Sequence, residues 1–130
     1  MEGGSAITMT WIPSEEDLAR AKRKMAERDR NLTEICESVK KRFMSLCPLH
    51  NVYVLWQRDV DFRAYVFFKN DKDIVDCKGN GTTTAIEDAV YEELESCGRG
   101  KRGEIVVSFE WDSDENVDNK YDGDYLIRLR

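Results

Sequence analysis

The sequence predicts one α+β domain in which a mainly antiparallel sheet of about four or five strands packs against helices. Three observations lead to this fold. An apolar stripe at helical spacing occupies the first part of the chain, β-branched and aromatic runs follow in the middle and near the end, and an amphipathic helix separates those runs. The expected element order is α-β-β-(β)-α-β-β, with residues 1–10 as a flexible leader or tag remnant and residues 11–130 as the domain.

The N-terminal helical region is predicted to begin at Ser14, which can cap backbone N–H groups and is followed by three acidic residues. Apolar side chains then recur at helical period, and we expect this stripe to face the core rather than a coiled-coil partner. Asn31 and Glu34 have capping-box spacing, so the region is either one long helix or two helices broken near Arg30. The stripe consists of Leu18, Ala21, Met25, Leu32, Ile35, Val39, Phe43 and Leu46.

The middle of the chain predicts a β-hairpin. Residues 51–58 and 62–69 are rich in β-branched and aromatic side chains, and residues 59–61 separate them. Apolar residues lie on both faces of these strands, so we expect both faces to be covered. Residues 73–77 are a weaker candidate for a short strand.

The second half of the chain predicts one helix and two further strands. Thr84 and Glu87 have capping-box spacing and indicate the start of a helix that ends at Gly98. Apolar and polar residues alternate over residues 104–111, and residues 124–130 are predicted to form the last strand. The side chains expected to face the core are Ile86, Val90, Leu94 and Cys97 from the helix and Ile105, Val107, Phe109 and Trp111 from the strand.

Composition excludes a membrane span and indicates a cytoplasmic protein. The 130 residues are 41% hydrophobic and 35% charged, and no stretch reaches the roughly 18 apolar residues of a transmembrane helix. Residues 1–10 lack the basic start and apolar run of a secretory signal. The four cysteines show no paired CxxC spacing, so we expect reduced thiols.

Charge favours a basic protein as the partner. The net charge is −6, and residues 51–130 carry 11 basic and 18 acidic side chains, a net charge of −7. An acidic surface repels the phosphate backbone, so direct binding of DNA or RNA is not expected.

Acidic residues are densest near the end of the chain, where seven carboxylates and only one cation, Lys120, lie between residues 110 and 124. This density indicates either a surface that attracts a cationic partner or a hairpin loop that keeps edge strands soluble. Two aromatic residues within it are candidate interface anchors or inward-facing core residues. The residues predicted to contact a partner are Glu110, Trp111, Asp112, Asp114, Glu115, Asp118, Tyr121, Asp122 and Asp124.

Calcium binding is an alternative for this segment. Residues 112–118 resemble the opening of a calcium loop, with oxygen ligands at alternate positions. Val117 stands where the turn requires glycine, however, and Gly123 stands where the bidentate glutamate belongs. We therefore favour a solvated acidic loop that binds a partner, and predict no metal-binding residues.

Catalytic chemistry finds little support. His50 is the only histidine, which excludes most acid–base and catalytic-triad mechanisms. Cys47 and His50 have the spacing of two metal ligands, but the sequence offers no second pair to complete a metal site. Glu92 and Glu95 could act as a carboxylate pair, but we expect them on the solvated side of their helix. We predict no catalytic or cofactor-binding residues, and leave a small carboxylate-dependent enzyme as a third possibility.

Several segments from residue 66 onwards are similar to a known family. They include residues 67–69, 98–104 and 109–117. With these segments the chain resembles the small immunity proteins that accompany bacterial polymorphic toxins of the contact-dependent growth inhibition and Rhs type. The resemblance implies a cytoplasmic protein that binds its cognate toxin domain, often a nuclease with a basic cleft, and occludes it stoichiometrically.

A basic toxin cleft that binds phosphates is lined by Lys and Arg, so an acidic loop can occupy it as a phosphate mimic. Asp112, Asp114, Glu115 and Asp118 are the residues expected in that role. Binding at a surface distant from the toxin active site would leave these acids uninvolved. The alternative function is an acidic protein-binding or calcium-binding module unrelated to toxins.

Overall fold

The computed structural model describes residues 12–130. The chain divides into two compact units, Met1–Arg30 and Asn31–Arg130. The predicted leader over residues 1–10 lies outside the described residues.

The first unit contributes helix α1, Glu15–Arg28. Ser14 caps it as predicted, because its side-chain oxygen accepts a hydrogen bond from the Asp17 N–H at 3.1 Å. None of the residues in α1 is buried, and Leu18 and Met25 are 46% and 58% exposed. The prediction that the stripe faces the core is therefore wrong for this helix. Its large apolar side chains recur only every seven residues, which makes a stripe narrower than a core-facing helix needs.

Helix α2, Leu32–Phe43, opens the second unit and confirms the alternative of two helices in series. Asn31 lies in the left-handed region with φ 64° and makes no side-chain capping bond, so the predicted capping box is wrong. Leu46, just beyond the helix, is 73% exposed and also departs from the predicted core. The buried residues of α2 are Leu32, Ile35, Val39 and Phe43.

The sheet of the second unit contains three strands, β1 (Leu49–Arg58), β2 (Asp61–Phe68) and β3 (Val106–Ser113), in that order. β1 and β2 form the predicted antiparallel hairpin. β3 runs parallel to β2, with Phe109 opposite Ala64. The fold is thus α+β as predicted, but the sheet is mixed and three-stranded rather than mainly antiparallel with about four or five strands.

One predicted strand in the connection to β3 is a helix. Residues 73–77 lie within helix α3, Asp71–Gly79. Asn70 precedes it, and its backbone N–H donates to the Asp73 carboxylate at 2.9 Å, half of a capping box that starts the helix. The apolar run here is too short for periodicity to distinguish a strand from a buried helical turn.

The predicted final strand is also wrong. Residues 124–130 contain the short helix α6, Tyr125–Arg128, rather than a strand. The Asp124 carboxylate starts it by accepting hydrogen bonds from the N–H groups of Leu126 and Ile127 at 3.0 and 3.2 Å.

The predicted central helix is present as α4, Thr82–Ser96, and buries the predicted Ile86, Val90 and Leu94. It begins after Gly81, which is left-handed with φ 86°, so the capping box predicted at Thr84 is wrong. The strand predicted over residues 104–111 corresponds to β3.

Helices cover both faces of the sheet, as predicted. The main core lies on one face, where α2 and α4 pack against side chains such as Val54 and Val66. A second, smaller core lies on the other face, around Phe67. There the C-terminal helices α5 (Asp114–Tyr121) and α6 supply Val117, Tyr121 and Tyr125. Within the described residues, no helix is long and apolar enough to cross a membrane.

Candidate protein-binding surface

The residues predicted to contact a partner lie on β3, on α5 and on the turn 122–124 that leads into α6. We call α5, this turn and α6 the C-terminal helical pair. The acidic segment is therefore the end of a strand followed by two helices, and not the hairpin loop that we expected. The predicted residues accordingly differ in burial, from Asp112, which is buried and bonded within the fold, to Asp118 and Asp122, which are exposed.

Asp112 is bonded within the fold. Its side chain is buried, and one carboxylate oxygen accepts hydrogen bonds from the Ser113 N–H at 2.8 Å and the Asn116 amide at 2.9 Å. The other oxygen accepts a hydrogen bond from Arg128 Nε. Asp112 thus joins β3 to both helices of the C-terminal pair.

Arg128 is the central cation of this network. Its guanidinium also pairs with Glu110 at 3.3 Å, and Glu110 pairs in turn with Arg63 at 3.2 Å. Burial lowers the pKa of Arg128, but the hydrogen bonds and charges of Asp112 and Glu110 outweigh this effect and raise it. The guanidinium carbon lies 5.5–5.9 Å from three aromatic ring centroids, those of Tyr65, Phe67 and Tyr121.

Asp114 connects α5 to α6 and to β1. Its carboxylate accepts a hydrogen bond from the Tyr125 hydroxyl at 2.6 Å, and the same oxygen lies 3.4 Å from Nε2 of His50. Burial, followed by the bond to Asp114, raises the pKa of Tyr125 far above its usual range. The His50 ring stacks on Tyr125 with ring centroids 5.9 Å apart.

Glu115 lies where the N-termini of α3 and α5 meet. Its carboxylate accepts a hydrogen bond from the Asp71 N–H at 2.9 Å, and its own N–H donates to the Lys69 carbonyl at 3.1 Å. The Ser113 hydroxyl donates to the Asp71 carboxylate beside it. Glu115 nevertheless remains exposed.

The two predicted aromatic anchors lie on opposite faces of the sheet. Trp111 stacks on Phe109 and Phe68, with ring centroids 5.7 and 6.2 Å apart, on the main-core face. Tyr121 packs in the second core beneath the C-terminal helical pair. Trp111 is therefore separated by the sheet from the acidic residues of that pair.

Asp118 and Asp122 are exposed, as Glu115 is. Neither of the two aspartate side chains makes a hydrogen bond or ion pair with the described residues. Asp118 lies against the turn, since a Cβ built on Gly123 would be 3.6 Å from its carboxylate oxygen. Asp122 is left-handed, with φ 53°.

Sequence reasoning missed two apolar residues beside these carboxylates. Leu126 is 82% exposed and Ile127 is 47% exposed. Both belong to residues 124–130, which the sequence predicts to be a strand, and neither is among the predicted contacts. The signal that could have identified the helix is Asp124, a residue type that favours N-cap positions. We call Glu115, Asp118, Asp122, Leu126 and Ile127 the C-terminal surface.

The other candidate sites offer less chemistry. Within residues 12–130, no group of three or more His, Cys, Asp or Glu side chains is arranged to hold a metal ion. The four cysteines are free, and burial raises the pKa of Cys47 to about 11. An open depression of about 390 Å³ lies beside the turn between β1 and β2, but Arg58 and Arg63 on its wall are paired with Asp61 and Glu110.

Comparisons with family models, with curated proteins and with solved structures find no match to this chain.

Proposed function

We propose that this chain is a cytoplasmic immunity protein that acts by binding rather than by catalysis. It binds a cognate, basic toxin domain through the C-terminal surface and blocks it stoichiometrically. The observation that carries the proposal is the division of the carboxylates. Asp112 is buried and bonded to Arg128, and the half-exposed Asp114 is bonded to Tyr125, whereas Asp118 and Asp122 project without partners among the described residues.

The positions of Asp118 and Asp122 support a role outside the fold. Asp118 lies in the last turn of α5 and Asp122 is the C-cap residue. Carboxylates at the C-terminal end of a helix meet the negative end of its dipole, which disfavours them. Two like charges near that end therefore cost the isolated domain stability, and a cationic partner offsets this cost.

A basic partner also gains from the exposed charges during association. Opposite charges on two surfaces steer the encounter and raise the association rate, most strongly at low salt. In a cleft that binds nucleic acid phosphates, carboxylates occupy the positions of the phosphate oxygens. Of the four acids expected from the sequence, Glu115 and Asp118 remain principal contacts, Asp112 and Asp114 do not, and Asp122 is added.

The test is co-expression with the C-terminal toxin domain encoded by the adjacent upstream gene, scored by growth rescue and by co-purification. The proposal expects rescue together with a complex of fixed stoichiometry. Absence of both would refute it.

The role of the carboxylates is tested in the same complex with the double variant Asp118→Asn/Asp122→Asn. We expect association at least about 10-fold slower at low salt, and a weaker dependence of the rate on salt. The matched control is Glu37→Gln/Glu95→Gln, which removes the same charge from exposed positions on α2 and α4. Equal association rates for the two double variants would show that the interface lies elsewhere on the chain.

A further inference from the structure

We infer that Leu126 and Ile127 form an apolar anchor, and that the partner presents an apolar pocket bordered by Lys and Arg to receive it. This inference rests on the proposed function and identifies the chemistry of the partner's surface. It concerns residues that the acidic pattern of the sequence does not point to.

The exposure of Leu126 is the first observation. At 82% it exceeds that of every other large apolar side chain in the described residues. It lies in a helix of only four residues, where Tyr125 and Arg128 point into the fold and leave Leu126 and Ile127 outside. An exposed leucine adds apolar surface in contact with water, and burial against a partner removes that surface.

The second observation is that the fold holds α6 firmly. Three bonds flank the anchor: the Asp124 carboxylate caps the helix, the Tyr125 hydroxyl donates to Asp114, and Arg128 pairs with buried Asp112. The backbone that carries Leu126 is therefore ordered before binding. A preorganised anchor loses less conformational entropy on association than one on a mobile tail.

Charge selects the class of partner. Asp122 and Asp118 lie four and eight residues before Leu126, and with Glu115 they outnumber the two exposed cations of this segment, Lys120 and Arg130. A second copy of this surface would bring like charges together, and an anionic membrane would meet the same repulsion. A protein pocket with an apolar floor and a basic rim matches both the leucine and the carboxylates.

The two parts of the surface then act on different rate constants. Carboxylates act over a distance and change mainly the association rate, whereas apolar contacts act at short range and change mainly the dissociation rate. The anchor is thus expected to determine how long the complex lasts.

The test measures both rate constants by biolayer interferometry, with the upstream-encoded toxin domain as the probe. Leu126→Ala is expected to dissociate about 10-fold faster or more, with an association rate within about 2-fold of the original. Leu126→Met, which keeps an apolar side chain of similar volume, is expected to retain slow dissociation. The control is Leu46→Ala, since Leu46 is also highly exposed, at 73%, but follows α2.

The outcomes separate the two proposals. If the original chain binds and Leu126→Ala dissociates no faster than Leu46→Ala, the anchor is refuted and the proposed function stands. If the original chain does not bind the toxin domain, the proposed function fails and the anchor fails with it. Far-UV circular dichroism and thermal melting confirm that each variant is folded, which the exposed positions of Leu126 and Leu46 lead us to expect.

Discussion

Replacement of Arg128 by methionine tests the ion pair that holds α6 on the sheet. The side chains of Arg128 and Asp112 are only 14% and 10% exposed, so the variant leaves a buried carboxylate without its cation. Breaking such a pair from one side costs about 3–5 kcal/mol. Asp112 keeps its hydrogen bonds to Ser113 and Asn116, so we expect a cost at the lower end of this range, about 3 kcal/mol.

A loss of this size is large for a unit of about 100 residues, whose free energy of unfolding is about 5–15 kcal/mol. It corresponds to a fall in melting temperature of roughly 10–20 °C. The assay is urea unfolding followed by tryptophan fluorescence and circular dichroism. Arg130→Met serves as the control, because it removes the same charge from an exposed residue two positions away.

A double-mutant cycle distinguishes the lost ion pair from lost packing. Asp112→Asn neutralises the carboxylate, so the double variant Asp112→Asn/Arg128→Met is expected to be at least about 1 kcal/mol more stable than the sum of the single effects predicts. Additive effects, or a cost below about 1 kcal/mol for Arg128→Met, would refute the reasoning.

Two further predictions concern side chains whose pKa is raised by burial. Burial and the hydrogen bond to Asp114 raise the pKa of Tyr125. The protonated hydroxyl therefore stabilises the folded chain fully below the ordinary tyrosine pKa, near pH 10, and this stabilisation is lost as the pH rises above that value. Between pH 9 and pH 11, Tyr125→Phe should therefore lose less free energy of unfolding than the original chain does in urea titrations. An equal loss in the two chains would contradict this prediction. Burial raises the pKa of Cys47 from an ordinary 9.0 to about 11, which lowers the fraction of reactive thiolate at pH 8. Its alkylation by iodoacetamide at that pH, followed by peptide mass spectrometry, should be at least about 10-fold slower in the folded chain than in urea, because the greater nucleophilicity of a more basic thiolate offsets part of the effect. Comparable folded and unfolded rates would show that this thiol is not protected.

Local patterns in the sequence were enough to predict much of the second unit. The alternation over residues 51–58 and 62–69 identified the hairpin, and helical spacing identified Ile86, Val90 and Leu94 as the buried face of α4. These features depend on the order of residues within one element. Each element repeats its signal over eight or more residues, so chance matches are uncommon.

Local patterns did not distinguish helix from strand in short segments. Residues 73–77 and 124–130 contain only three and four apolar side chains, which fit one or two turns of helix as well as a strand. The N-cap bonds of Asn70 and Asp124 decided in favour of helices. The sheet therefore lacks the two strands that were predicted over these residues.

The sequence by itself determined the α+β class, the hairpin, the central helix and the concentration of carboxylates near the end of the chain. Only the tertiary structure decided which carboxylates are bonded within the fold and which are exposed to solvent. Asp112 meets Arg128 sixteen residues away because β3 lies parallel to β2 and the chain then folds back over the sheet. Such pairings depend on which elements pack together, and neighbouring residues carry no signal of a charge that arrives from a distant part of the chain.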